Sequence, residues 1–272
     1  MLFGPATRVD FVAKFVASGA DIGVLDLEDA VAHADKDAAR SAITDARPGE
    51  SDLGTMQLFV RVNSIESEHF DLDLAAASAA AAHGVVVPKL ESAEAVAEVR
   101  AALDSHDMAD VLLCAGIESA AGVHRAVEVA AAQVDQVYFG AEDFITDMGG
   151  VRTESNSEVL YARSHVALAA RLAGIPALDQ VVVNYRDDAR FESEALAARA
   201  LGYRGKLCIH PSQVKLALKA FTPSAEEVSW AERLIAAVES ADGAGVVSFE
   251  GTMVDAPILL RAKSLVAQRP PS

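Results

Sequence analysis

Short apolar segments alternate with alanine-rich segments along the chain. The apolar segments are rich in Val, Ile, Leu and Phe and have the length of buried β-strands, whereas the segments between them are long enough for helices. Eight strands are predicted, at 1–3, 22–27, 57–62, 84–89, 111–117, 136–140, 177–183 and 206–210.

The intervals between these strands predict helices, because several begin with an Asp, Ser or Thr suited to capping and carry acids early. The predicted helices lie near 7–18, 34–46, 68–82, 91–105, 119–133, 156–173, 187–201 and 211–220. Strand and helix alternating eight times predict an α/β fold with parallel strands closed into a (β/α)₈ TIM barrel.

The pattern changes after Pro223. Two more helices are predicted at about 224–240 and 256–268, separated by the glycine-containing stretch ADGAGVVSFEGTMVDAP. We therefore predict a catalytic barrel domain at 1–222 and a C-terminal helical extension at 223–272.

Composition and charge narrow the possible partners. The 272 residues are 51% hydrophobic and 23% charged, as in soluble globular proteins. No run approaches the roughly 20 apolar residues that cross a bilayer, and the first residues lack a secretory signal, so a cytoplasmic location is predicted. The formal charge of −17 opposes binding to nucleic acid or to an anionic membrane. Cys114 and Cys208 lie in apolar segments and are interpreted as small buried hydrophobes.

Ionisable residues collect at the C-terminal ends of the predicted strands, where barrels of this kind carry their active sites. They are Asp26, Glu28, Asp29, Arg61, Lys89, Glu118, Glu142, Asp143, Asp179 and His210. Purely structural strands would leave most charges on the outer helices, so this convergence predicts an active site. A lone histidine such as His210 is more often a hydrogen-bonded structural residue than a catalyst.

Two of these acids, Glu118 and Asp143, follow neighbouring predicted strands. Two carboxylates so near to each other either share a proton or bind a cation. Hard oxygen ligands favour Mg²⁺ as that cation. Salt bridges to Arg61 or Lys89 are the alternative interpretation. Arg61 itself could clamp a substrate carboxylate or stabilise an oxyanion, or it could pair with the acids at 26–29.

Several segments resemble the HpcH/HpaI aldolase superfamily, in particular its branch of citrate lyase β-subunit-like proteins, which also holds malyl-CoA and citramalyl-CoA lyases. The segments are VLDLEDAV (24–31), VRVN (60–63), VPKLES (87–92), AGIESAAGV (115–123), FGAEDF (139–144), YARSHVALAARLAGIPALD (161–179) and LGYRGKLCIHPSQV (201–214). The resemblance runs from Met1 to about Asp255, and several motifs in matching order make it more specific than any one of them.

The resemblance implies roles for the residues at the strand ends. Glu118 and Asp143 would hold Mg²⁺, and Arg61 would contact the oxo-acid part of the substrate. Glu142, assigned with the catalytic residues, would brace Lys89 or a water.

The resemblance also implies a coenzyme A site and an oligomer. Phe3, Arg8 and Lys14 stand where relatives contact coenzyme A, and Lys89 is assigned with them to cofactor binding. Asp255 matches an aspartate that relatives deliver into a neighbouring subunit's site, which implies a homo-oligomer, a trimer or a dimer of trimers.

The predicted activity is therefore cleavage or formation of a malyl-CoA-like or citramalyl-CoA-like thioester, giving acetyl-CoA and glyoxylate or pyruvate. The alternatives are a citrate lyase β subunit acting on a carrier-protein thioester, a class II pyruvate aldolase acting on 4-hydroxy-2-oxo acids, and a non-catalytic barrel. Two departures from the family pattern, Ala6-Thr7 in the opening segment and the missing arginine in IESAAGV, bear on thioester contacts and substrate choice.

Overall fold

A computed structural model gives the fold of residues 1–45, 47–240 and 246–269. Ala46, the last residue of the predicted helix 34–46, lies outside these residues, as do 241–245 and 270–272 of the predicted C-terminal extension. Eight strands form one sheet: β1 (Leu2–Pro5), β2 (Ile22–Asp26), β3 (Gln57–Arg61), β4 (Gly84–Val87), β5 (Leu112–Ile117), β6 (Gln136–Phe139), β7 (Ala177–Asp179) and β8 (Gly205–Lys206).

Helices connect these strands. They are α1 (Phe11–Ser18), α2 (Lys36–Asp45), α3 (Glu50–Leu53), α4 (Phe70–Ala79), α5 (Ala93–Ser105), α6 (Ala120–His124), α7 (Ala126–Ala131), α8 (Ala141–Asp147), α9 (Leu160–Ala173), α10 (Asp188–Leu201) and α11 (Pro211–Phe221). A 3₁₀ turn (His33–Asp35) precedes α2.

The eight strands are parallel and follow one another in sequence order around the sheet. The sheet closes on itself, because Phe3 N donates to Cys208 O and Cys208 N donates to Met1 O, both at 2.9 Å. The predicted (β/α)₈ barrel is confirmed.

The barrel interior is filled by one apolar side chain from almost every strand. The buried cluster comprises Val24, Phe59, Val86, Cys114, Tyr138, Leu178 and Leu207. Side chains two positions further along a strand face the same side. Asp26, Arg61, Gly116 and Gly140 therefore stand directly above this apolar layer, at the C-terminal mouth of the barrel.

A buried ionic network lies at the end of β7. The Asp179 carboxylate accepts two hydrogen bonds from Arg163, at 2.7 and 2.9 Å, and one from Lys206 Nζ at 2.6 Å. All three side chains are almost fully buried. Asp179, one of the strand-end acids, is thereby committed to holding α9 and β8 against β7.

The chain forms two compact units, Met1–Ala217 and Leu218–Ser272. In the second unit, α12 (Ala225–Glu239) packs on α13 (Ala256–Ala267), and β9 (Val247–Phe249) pairs antiparallel with β10 (Thr252–Val254). The buried core of this unit comprises Ala231, Leu234, Val254 and Ala262. The predicted division at residue 222 stays a prediction.

The observed elements differ from the predicted ones mainly after the strands. The predicted strands at 177–183 and 206–210 end earlier, at Asp179 and Lys206, and beyond Lys206 single backbone hydrogen bonds of Leu207 and Cys208 continue the pairing. The helix α8 and the hairpin of β9 and β10 were not predicted. Within the residues described, no helix has the length and apolar character needed to cross a bilayer.

We expect Asp179→Ala to lower the free energy of unfolding by about 3–5 kcal/mol, because it removes the carboxylate that binds Arg163 and Lys206 and leaves Lys206 with the more distant Glu194, at 3.7 Å. Urea denaturation measures the change. The matched control is Glu232→Ala, which breaks an exposed ion pair to Arg269 and should cost under about 1 kcal/mol. Equal losses in the two variants would contradict a stabilising role for the Asp179 network.

Candidate active site

The carboxyl group of Glu118 lies buried at the mouth of the barrel. Glu118 follows β5 and is 3% exposed. Its Oε1 accepts a hydrogen bond from the backbone N–H of Lys89 at 3.1 Å, and its Oε2 accepts one from the hydroxyl of Tyr138 at 2.9 Å. Both oxygens are therefore held in place from the neighbouring strands.

Two glycines make room for this arrangement. A Cβ at Gly140 would lie 2.4 Å from Glu118 Oε2 and 2.6 Å from its Cβ. A Cβ at Gly116 would lie 2.5 Å from the Tyr138 hydroxyl oxygen. Real Cβ atoms do not approach so closely, so a side chain at either position would displace Glu118 or Tyr138.

Burial makes the ionised form of Glu118 unfavourable. Loss of solvation, followed by the nearby charge of Asp143, raises its pKa to about 7. Burial also raises the pKa of Tyr138 well above its ordinary value, which keeps its hydroxyl proton available for Glu118. A carboxylate in this position needs a compensating positive charge.

Lys89 connects Glu118 with Asp143. Its backbone N–H bonds to Glu118, and its Nζ lies 3.4 Å from Asp143 Oδ1. Lys89 adopts a left-handed backbone conformation with φ of 55°, which costs energy in a residue other than glycine. The ion pair to Lys89, the alternative raised by the sequence, is therefore observed for Asp143.

Arg61 lies beside a cluster of acids at the mouth of the barrel. Asp26 and Arg61 are paired in register on β2 and β3, and Arg61 donates from Nε and Nη2 to the two oxygens of Asp26 at 2.8 and 2.6 Å. Its Nη1 lies 2.9 Å from Glu28 Oε2, and its Cζ lies 5.3 Å from the ring centroid of Phe3. The pairing of Arg61 with the acids at 26–29 is thus observed, and it fixes the guanidinium plane.

Glu28 is the second acid with a strongly raised pKa. Burial raises the pKa of Glu28 to about 8, although the charge of Arg61 opposes the rise. The negative charges of Asp29, Glu118 and Asp26 raise this pKa further. Glu28 Oε2 is buried and makes no well-directed hydrogen bond. The mouth therefore collects more negative charge than its cations neutralise.

The donor set at Glu118 and Asp143 fits a hard divalent cation. Both residues offer carboxylate oxygens, which Mg²⁺ prefers, and the pKa of Glu118 is raised partly by Asp143. Glu118 is buried, while Asp143 is 40% exposed and so accessible from solvent. An ion between them would supply the charge that Glu118 lacks.

Glu142 has a different partner from the predicted one. Its Oε1 accepts a hydrogen bond from Arg152 Nε at 2.9 Å, whereas Lys89 Nζ pairs with Asp143, and the alternative expectation of a water at Glu142 stays a prediction. Arg152 also donates to Asn156 and Gln180 and pairs with Glu158. Arg152 therefore anchors the segment after α8, and Glu142 is part of that anchor.

Three of the four residues assigned to coenzyme A lie on β1, α1 and the turn between them. Arg8 and Lys14 both pair with Asp10, at 2.8 and 3.5 Å, and both lie over the ring of Phe11. They are about half exposed, as a site for an anionic ligand requires. Phe3 instead contacts Arg61 at the mouth of the barrel.

Asp255 and His210, the remaining predicted residues, make hydrogen bonds to residues nearby in the sequence. Asp255 caps α13, its side chain accepting a hydrogen bond from Ile258 N at 3.3 Å. His210 Nδ1 lies 2.8 Å from Ser212 Oγ, and its ring stacks on Tyr185, which agrees with a structural histidine.

Sequence reasoning missed Tyr138 and Arg152. Alternation along β6 could have indicated Tyr138, since it lies two residues before Gly140 and on the same inward face. Arg152 lies in an irregular segment, where no periodicity indicates its direction.

A parallel barrel with a buried acid, a lysine–aspartate pair and an oriented arginine at its C-terminal mouth is the framework of a barrel enzyme for small anionic molecules. The chain belongs to the HpcH/HpaI aldolase/citrate lyase family, whose model matches residues 1–211. The predicted family and the predicted lyase class are thereby confirmed.

Similar proteins span almost the whole chain. A citrate lyase subunit beta-like protein of Deinococcus radiodurans is 45% identical, over 98% of this chain and 95% of its own. The mitochondrial citramalyl-CoA lyase of Mus musculus is 31% identical, over 98% and 84%. The solved structure of CitE from Mycobacterium tuberculosis, in complex with magnesium, acetoacetate and coenzyme A, has a TM-score of 0.85 and 36% identity, covering 98% and 96%.

The raised pKa of Glu118 predicts a pH-dependent stability in the absence of divalent ions. Its pKa rises from 4.5 to about 7 on folding, so the folded chain binds the extra proton between these values. Stability therefore falls as the pH rises through this window, by up to about 3 kcal/mol from this group. Urea denaturation at several pH values, with a chelator present, measures it.

Glu118→Gln is the control for this effect. The variant keeps an oxygen for the Lys89 N–H and cannot ionise, so its stability should fall less over the same window. The part due to Glu28, whose pKa is raised to about 8, should remain. Identical pH profiles for the variant and the parent chain would contradict the assignment.

Proposed function

We propose that this chain is a magnesium-dependent carbon–carbon lyase that cleaves or forms a malyl-CoA-like or citramalyl-CoA-like thioester, with acetyl-CoA and glyoxylate or pyruvate as the other reactants. The observation that carries the proposal is that Lys89 contacts both acids, its N–H bonding to the buried Glu118 and its Nζ to Asp143, with the oriented guanidinium of Arg61 at the same mouth. The magnesium, acetoacetate and coenzyme A bound to the Mycobacterium tuberculosis CitE support it.

Glu118 and Asp143 would hold Mg²⁺, which supplies a Lewis acid for the hydroxyl and carboxylate oxygens of the substrate. The hydrogen bonds from Tyr138 and from the Lys89 backbone fix the direction of the Glu118 oxygens. Asp143 is free to turn from Lys89, because this exposed ion pair is weak.

Arg61 binds the oxo-acid carboxylate or the thioester enolate. Its Nε and Nη2 are used by Asp26 and its Nη1 lies 2.9 Å from Glu28 Oε2, so the substrate would take the place of Glu28 at Nη1. The Glu28 carboxyl, with its pKa raised to about 8, is largely protonated near neutral pH and competes little for this cation. The backbone N–H of Asp143, in the first turn of α8, is a further donor to the oxo acid.

In the cleavage direction, the substrate hydroxyl gives its proton to solvent water, and the bond between the carbon that bears this oxygen and the carbon beside the thioester breaks. The electron pair of that bond passes into the enolate of acetyl-CoA, and a proton must then reach the acetyl carbon. Asp255 of a neighbouring subunit delivers this proton, which makes the functional unit a homo-oligomer, a trimer or a dimer of trimers.

The nucleotide part of coenzyme A binds near Arg8 and Lys14. Their half-exposed charges supply a local positive patch on an otherwise acidic chain. The side chain of Lys89 is 45% exposed. In this proposal coenzyme A extends from Arg8 and Lys14 toward the metal ligands, and Lys89 Nζ contacts its thioester end. Phe3 supports Arg61 through its ring.

The second candidate is the β subunit of a citrate lyase, which would act on a carrier-protein thioester. It is favoured by relatives with that name, such as the citrate lyase subunit beta of Leuconostoc mesenteroides subsp. cremoris, which is 36% identical over 98% of this chain. Assays with Mg²⁺, glyoxylate or pyruvate, and either acetyl-CoA or an acetylated carrier protein distinguish the two. Formation of a condensed coenzyme A thioester in the acetyl-CoA assay supports the first proposal, and turnover with the carrier protein alone supports the second.

Glu118→Ala and Asp143→Ala should each reduce Mg²⁺-dependent turnover by at least about 100-fold, because each removes one of the two proposed metal ligands. Chromatographic measurement of the condensed thioester gives the loss, and Glu128→Ala, at an exposed position of α7, is the matched control. Full Mg²⁺-dependent activity in either variant would remove that residue from the site.

Asp255→Asn should reduce kcat by about 100-fold or more, since the amide cannot transfer the proton, and should leave coenzyme A affinity within about twofold. An amide oxygen still caps α13, so the fold is retained. Kinetics and calorimetry measure the two quantities, and Glu250→Gln, exposed and paired with Arg233, is the control. A parental rate in Asp255→Asn would exclude Asp255 from the reaction.

A further inference from the structure

A second cluster of metal-ligating side chains lies beyond the proposed magnesium site, on the loops that follow β2 and β3. It consists of His33, Glu68 and His69, whose donor atoms all lie within 4.8 Å of one another. His33 begins the 3₁₀ turn, and His69 immediately precedes α4. Two histidines and one glutamate are a ligand set that zinc uses in proteins.

The two imidazoles meet nitrogen to nitrogen. His69 Nε2 lies 3.0 Å from His33 Nδ1, and the ring planes are inclined by 56°. Only one proton fits between two nitrogens at this separation, so at least one of them presents a lone pair. Two nitrogens bound to one tetrahedral zinc at about 2.0–2.1 Å lie about 3.3 Å apart, so a small movement brings both onto one ion.

These side chains have few competing partners. Nδ1 of His69 is buried and without a hydrogen bond, so the contact to His33 is the ring's single hydrogen bond among the residues described. Within residues 1–45, 47–240 and 246–269, no lysine or arginine forms an ion pair with Glu68. The carboxylate is exposed and able to turn toward the two rings.

The framework beneath the cluster is rigid. Lys36 Nζ, just after the 3₁₀ turn, donates to Leu27 O at 2.7 Å and fixes the loop to the end of β2. Arg40 of α2 and Asp73 of α4 form a buried ion pair at 2.8 Å, and Asp73 also accepts from the backbone of Asn63. The two loops that carry the histidines are therefore held at a fixed separation, as a metal site requires.

We propose that His33, Glu68 and His69 bind a divalent transition-metal ion, zinc being the best match. Imidazole nitrogens select zinc over magnesium, whereas Glu118 and Asp143 offer only oxygen. Water completes the coordination, because Glu68 and His33 are exposed. The ion joins the loop that carries Glu28 and Asp29 to the loop that follows Arg61, and so stabilises both sides of the acid cluster.

Calorimetric titration with Zn²⁺ tests this proposal on tag-free, chelator-treated protein in excess Mg²⁺. The expected result is one Zn²⁺ per chain. His33→Ala and His69→Ala should each weaken binding by more than about 100-fold, beyond the 10–100-fold cost of losing only a supporting partner of a ligand. Glu68→Gln should weaken it by about 10-fold or more. His33 is exposed, so its variant tests the site without disturbing the core.

Two controls separate this site from the proposed magnesium site. His106→Ala removes a histidine that pairs with Asp71 at 2.8 Å outside the cluster, and it should leave Zn²⁺ binding unchanged. Glu118→Ala should also leave it unchanged. The proposal would be overturned if the parent chain bound no Zn²⁺, if His33→Ala and His69→Ala bound it as tightly as the parent, or if Glu118→Ala lost it. None of these outcomes bears on the lyase assay.

Discussion

The site is organised around one buried carboxyl group. Glu118 fits at the mouth of the barrel because Gly116 and Gly140 leave the space that its own side chain and that of Tyr138 occupy. Its two hydrogen bonds fix its position but bring no net charge to it. A buried carboxylate without a cation is costly, so the fold prepares a place where positive charge is favourable.

The other ionisable groups fall into two classes according to burial and pairing. In the interior, the Asp179 carboxylate binds Arg163 and Lys206, and this buried ionic network stabilises the fold. At the mouth, by contrast, acids outnumber cations and pKa values are displaced, as is common at functional sites. A chain with a net charge of −17 can therefore bind an anionic substrate, provided that Arg61 and a bound cation act locally against the overall field.

The barrel and the ends of its strands could be predicted from the sequence, because alternation of strand and helix leaves few topologies and the C-terminal strand ends converge on one face. Glu118, Asp143, Lys89 and Arg61 were therefore expected together. Their partners could not be predicted, since the pairing of Glu142 with Arg152 depends on an irregular segment. The Glu118 to Tyr138 bond depends on the register between β5 and β6, which sets Gly116 against Tyr138.

The most direct test of the account is a crystal structure of the protein with Mn²⁺ in place of Mg²⁺, with the metal located by anomalous scattering. The account predicts a peak bonded to one oxygen of Glu118 and one of Asp143, with the Lys89 ammonium moved away from Asp143. Two carboxylates with no ion between them in the Mn²⁺ crystal would contradict this metal site.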